Sequence, residues 1–82
     1  MQKDHEGRVK LSPREAQLLS LITEGLSGKE MAERMGLTEN TVAAYRQRLN
    51  GGLGQSRGKL IVWGTRHPEA LAGEWAVLER AA

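Results

Sequence analysis

Asn40, Ala43, Ala44 and Gln47 recur at three- and four-residue spacing, which lines them up on one face of a helix. Asn and Gln each pair a donor with an acceptor and fit the adenine edge, while Ala is small enough to meet a thymine methyl. Arg46 and Arg48 stand on the two flanks of that face, able to reach phosphates or, alternatively, a guanine edge. Such a helix suits the major groove of a duplex, with A·T pairs expected beneath Gln47 and Asn40. The bland alternative is a set of ordinary solvated polar side chains.

Four further residues could serve the same chemistry. Thr38 and Thr41 can offer hydroxyls to phosphate, although Thr38 is equally suited to capping a helix. Lys29 opens another helical segment, where amide dipoles also favour an anion, or it is simply solvated. Arg57 can touch a phosphate or pair with a carboxylate such as Glu15.

Enzymatic chemistry finds little support. His5 and His67 have no partners at ligand spacing, so neither a metal site nor a catalytic set of Ser, His and Asp can be assembled. Gly51-Gly52-Leu53-Gly54 follows a helix and lacks the Lys-Ser/Thr pair of a phosphate loop, so it reads as a helix stop. Neither an enzyme nor a cofactor is expected.

Composition agrees with a small binding module. The chain has 82 residues, enough for one small domain, with 39% hydrophobic and 27% charged residues, the balance of a folded soluble chain. Cysteine is absent, which excludes disulfides and thiolate metal sites. No apolar run can cross a bilayer and no secretory signal is visible, so a cytoplasmic protein is expected. The net charge of +2 is unevenly spread. Between Asn40 and His67 stand five basic residues and no acid, a bias that points to an anionic partner.

Helices must position these residues. Ser12, Pro13 and Glu15 form a helix start, followed by the apolar stripe Ala16, Leu18, Leu19 and Ile22 and a stop at Gly25. Ser27 and Glu30 open a second helix, which carries Met31, Ala32 and Met35 inward and ends at Gly36. Thr38 caps a third, Glu39 to Asn50, with Val42, Tyr45 and Leu49 as its buried stripe and Gly51-Gly52 as its stop. A fourth runs from Ser56 to Arg66, and Pro68 begins a fifth in which Leu71, Trp75 and Leu78 share a face. No strand alternation is apparent. The expected fold is all-α, divided into a flexible arm (1–10), a helix-turn-helix domain (11–67) and a C-terminal helical extension (68–82).

The second and third helices are joined by only Gly36-Leu37-Thr38, so they must cross steeply with small residues at the crossing. Ala32, Gly36 and Val42 meet that need and Leu37 plugs the corner, the steric pattern of a helix-turn-helix. In order along the chain stand Leu11-Ser12-Pro13-Arg14-Glu15, Glu24-Gly25-Leu26-Ser27, Lys29-Glu30-Met31-Ala32, Leu37-Thr38, Thr41-Val42, Leu53-Gly54, Ser56-Arg57 and Leu60. From about Leu11 to Thr65 this set resembles the DNA-binding domain of LuxR-type (GerE-like) bacterial transcriptional regulators, in a form with little else attached.

The resemblance implies a four-helix domain whose third helix reads double-stranded DNA and whose fourth forms a homodimer on a palindromic site. Leu60 and Trp63 are the expected dimer contacts. The chain departs from the family at Tyr45, Leu49 and Gly52, where His, Ile and Lys are usual, and at Ala43-Ala44, where a cation is common. The change at Gly52 removes a phosphate contact and is expected to shorten the reading helix. A rival reading uses the same fold as a protein-interaction module that binds and blocks another transcription regulator. The stripe of the tail covers either the domain's own core or a partner groove.

Overall fold

The computed structural model describes residues 1–78; the side chain of Arg57 and residues 79–82 lie outside the described set. In chain order come strands β1 (Gln2–Lys3) and β2 (Arg8–Lys10), then helices α1 (Pro13–Thr23), α2 (Gly28–Met35) and α3 (Glu39–Leu53). A 3₁₀ turn (Arg57–Lys59) leads into α4 (Leu60–Arg66), followed by α5 (Pro68–Leu71) and strand β3 (Ala76–Val77). The fold is mostly helical, as expected, with a small three-stranded sheet added.

α1 is the hub. It contacts every other α-helix, and its Leu18, Leu19 and Ile22 are almost completely buried. Ser12 starts it with a reciprocal cap: the Glu15 backbone N–H donates to Ser12 Oγ (3.2 Å) and the Ser12 N–H to Glu15 Oε1 (2.8 Å). The same device opens α2, where the Glu30 N–H donates to Ser27 Oγ and the Ser27 N–H to Glu30 Oε1. These two capping boxes satisfy amides that a helix start leaves unpaired. The Ser27 amide, donating to Glu30, holds its carboxyl below the usual carboxylate range.

The sheet corrects the expectation of an all-α chain with an aperiodic arm. β1 and β2 pair antiparallel, Gln2 opposite Lys10 and Lys3 opposite Val9. Asp4 organises the connection, accepting from the backbone N–H groups of Glu6 (3.0 Å) and Arg8 (2.8 Å). Val9 is wholly buried while Arg8 and Lys10 face outward, a period-two pattern only three residues long. Its core-facing side chain gives the strand a reason to stay in place.

The tail also differs. The expected fifth helix stops at Leu71, because Gly73 takes a left-handed conformation (φ 78°) and the Glu74 N–H returns to the Glu69 carbonyl. The chain then runs antiparallel to β2, with Ala76 opposite Val9 and both buried. Leu71 is half-buried against the core, whereas Trp75 stays 37% exposed beneath the Arg8 guanidinium. The two ends of the described chain therefore share one sheet.

Helix α3 is longer than expected. Gly51 and Gly52 continue it, and it ends at Gly54, whose N–H donates to the Asn50 and Gly51 carbonyls. Leu53 supplies the reason, since it is 2% exposed. Burying a leucine contributes roughly 1.5–3 kcal/mol, which offsets two mid-helix glycines at about 1 kcal/mol each.

Two stability predictions follow from these placements. A Cβ on Gly51 would meet open space, so Gly51→Ala should stabilise the fold by ~0.5–1 kcal/mol in a denaturant titration. No gain would mean that α3 does not persist through this residue. Trp63 is 3% exposed, so Trp63→Ala should cost ~3–5 kcal/mol, while the exposed Ile61→Ala should stay within about 0.5 kcal/mol.

Candidate nucleic-acid interface

The corner between α2 and α3 fixes how α3 is presented. Gly36 is left-handed (φ 66°), and the Leu37 N–H donates to the Ala32 carbonyl at 2.9 Å. Ala32 and Val42 are buried where the two helices pack, and Leu37 lies against the core. Thr38 Oγ1 accepts the Thr41 N–H at 3.2 Å and lies 2.9 Å from the Thr41 hydroxyl. Both hydroxyls thus take part in the start of α3, with Thr38 exposed and Thr41 half-buried.

Along α3, Val42, Leu49 and Leu53 are buried. Asn40, Ala43, Ala44 and Gln47 are all exposed, so the structure brings together the side chains expected to face bases. Glu39 and Gly51 are exposed on the same helix. The flanks are unequal. Arg48 is exposed, its guanidinium 5.7 Å from the centroid of the half-buried Tyr45 ring. Arg46 is half-buried with its Nε shielded from solvent, which follows from its position only about 40° from the middle of the buried stripe. Of the two arginines expected on the flanks of this face, Arg48 is thus exposed and Arg46 half-buried.

The remaining expected residues are dispersed. Lys29 is exposed in the first turn of α2. Arg57 opens the 3₁₀ turn, and its side chain is outside the described set. Leu60 (0% exposed) and Trp63 (3%) lie in the domain's own core, so they are unavailable as dimer contacts. The exposed apolar residues of α4 are instead Ile61 (39%) and Val62 (50%). Three residues apart, Leu60 and Trp63 share one face of α4, and that face is turned inward toward α1.

His67 lies in the core. It is 8% exposed, stacks on Trp63 with ring centroids 4.3 Å apart, and its Nδ1 lies 2.9 Å from Glu69 Oε1. Among the described residues no group of three His, Asp or Glu side chains could hold a metal ion, and no helix is long and apolar enough to cross a membrane.

Two cations beside the start of α1 were not among the expected contacts. A hollow of about 270 Å³ between the start of α1 and α3 is lined by Arg14, Tyr45 and Arg48, and an adjoining one by Lys10. Arg14 is exposed and donates one guanidinium N–H to the Met35 carbonyl at 3.2 Å. Sequence spacing cannot link residues 10, 14 and 48; the alternation Arg8-Val9-Lys10 is the signal that a strand carries Lys10 to this side.

Residues 9–62 match the GerE family model, described as bacterial regulatory proteins of the luxR family. The transcriptional regulatory protein MctR of Rhizobium johnstonii is 45% identical over 49 residues, which is 60% of this chain and 23% of that protein. The DNA-binding transcriptional activator DevR/DosR of Mycobacterium tuberculosis is 47% identical over 47 residues, 57% of this chain and 22% of that protein. The chain thus spans under a quarter of the length of these curated relatives. No solved structure matches it. With the family model covering well over half of its residues and the helix-turn-helix corner formed, the chain belongs to the luxR family of bacterial regulatory proteins.

Proposed function

We propose that this chain is a sequence-specific DNA-binding transcription regulator that inserts α3 into the major groove, acting as a homodimer on a palindromic site. The observation that carries the reading is the exposed, uncharged, hydrogen-bonding face of Asn40, Ala43, Ala44 and Gln47 on the second helix of the corner. Gln47 and Asn40 pair with adenine edges, and the two alanines contact thymine methyls. Arg48, Lys29, Thr38, Thr41 and Arg57 contribute phosphate contacts, which set position and affinity rather than sequence. Arg46, half-buried, serves chiefly to hold α3 in place. The proposed working compartment is the cytoplasm, and no enzymatic step is assigned.

Dimerisation is assigned to Ile61 and Val62 of α4 in place of Leu60 and Trp63. A single small domain buries little DNA surface, so pairing two half-sites supplies both affinity and symmetry. The same exposed pair favours a second reading, in which the chain docks on another regulator and blocks it. The alanines at 43 and 44, where relatives of this type commonly carry a cation, also suit that role.

Selection of random duplexes on the purified protein at moderate salt separates the two. A regulator enriches a palindrome with A·T pairs in each half-site, and Gln47→Ala relaxes the preference at one position by ~1–3 kcal/mol. Failure to recover any duplex, even at low salt, would contradict DNA binding and favour the blocking role. Sedimentation of Val62→Asp should give a folded monomer; an unaltered dimer would remove α4 from the interface.

A further inference from the structure

We propose that Lys10 and Arg14 extend the DNA-contacting surface beyond α3, gripping the phosphate backbone beside the groove. The inference rests on the DNA-binding reading and deepens it. α3 itself is poorly supplied with charge where a groove-binding helix needs it. Its first two turns carry Glu39, Asn40, Ala43 and Ala44, and its outward-facing cation is Arg48, on the flank turned toward α1. Phosphate contacts supply most of the affinity of such a protein, so a helix lacking them needs cations from a neighbouring element.

Two adjoining hollows provide that element. One joins Arg48 and Tyr45 of α3 to Arg14 and Ser12 at the start of α1, and the next joins Ser12 to Lys10 of β2. Arg48, Arg14 and Lys10 therefore follow one another along a continuous surface leading away from α3. All three are exposed.

Glu15, the acid that lines the first hollow, is already engaged, as are Asp4 and Glu6 before β2. Glu15 accepts from the Ser12 N–H at 2.8 Å and lies 2.9 Å from the Met1 amine. Asp4 and Glu6 both pair with Arg8, at 2.6 Å and 3.4 Å. Among the described residues no carboxylate lies within ion-pair distance of Lys10, Arg14 or Arg48. Arg14 commits one donor to the Met35 carbonyl, and a guanidinium has five. Three exposed cations with no carboxylate partner suit a polyanion, and with the exposed face of α3 beside them the occupant we assign is duplex DNA.

The test is the salt dependence of duplex binding by Lys10→Gln, Arg14→Gln and Arg48→Gln, measured on a selected site and on a scrambled one. Each lost phosphate contact should lower the slope of log K against log [salt] by about 0.9. For Lys10→Gln the loss of affinity from 50 to 200 mM salt should then be ~3-fold smaller than for the unaltered protein, equally on both duplexes. Lys10 makes no contact that folding requires, so it keeps the test sound where Arg14→Gln loosens the end of α2. A Lys10→Gln slope equal to that of the unaltered protein, with Arg48→Gln still reduced, would overturn the proposal and end the contact surface at α3. Failure of the underlying reading looks different: the unaltered protein would bind neither duplex, and the proposal would fall with it.

Discussion

Everything functional in this chain depends on the closeness of α2 and α3 at their shared corner. A three-residue connection leaves room for one left-handed turn, and Gly36 takes it without a Cβ penalty. The Leu37 amide then bonds the Ala32 carbonyl, while Ala32 and Val42 allow the helix axes to approach. A larger residue at either position would have to push α3 outward. Because Val42 and Leu49 are held on one side, Asn40, Ala43, Ala44 and Gln47 have no choice but to face outward together. The presentation of this exposed face is thus a packing result, set by small buried residues at the corner.

α1 turns this local corner into a domain. Its buried stripe of Leu18, Leu19 and Ile22 meets helices on several sides, and its capped start lies beside α3. The sheet adds a closure that joins the two ends of the described chain, with Val9 and Ala76 paired across β2 and β3 and both buried. In doing so it brings Lys10 into a hollow with Ser12 at the start of α1. Stability and charge placement are therefore coupled through β2.

Much of this was legible in the residues. The three caps at Ser12, Ser27 and Thr38 and the glycine at position 36 located α1, α2 and the start of α3, because each is a local signal with a local cause. The exposed face of α3 was legible as well, since it follows from helical period once Val42 and Leu49 are buried. What failed depended on partners distant in sequence. Gly51 and Gly52 looked like a stop, yet Leu53 found a core position beyond them. The alternation Arg8-Val9-Lys10 was too short to read as a strand, because three residues gain their stability from β1 and β3 rather than from their own sequence. Trp75 shared a helical stripe with Leu71 on paper, but Gly73 ended the helix before the stripe could form. Leu60 and Trp63 were apolar and correctly helical; only the direction in which α4 faces assigned them to the core and left Ile61 and Val62 outside.

The central claim is that α3 carries its exposed face into a duplex. An NMR titration of the labelled protein with a selected duplex addresses it directly, because backbone amides report contact residue by residue. The account predicts the largest shifts at Asn40, Ala43, Ala44 and Gln47, with small shifts on the buried side at Val42 and Leu49. Shifts confined to α4, or an unchanged spectrum at saturating DNA, would contradict it.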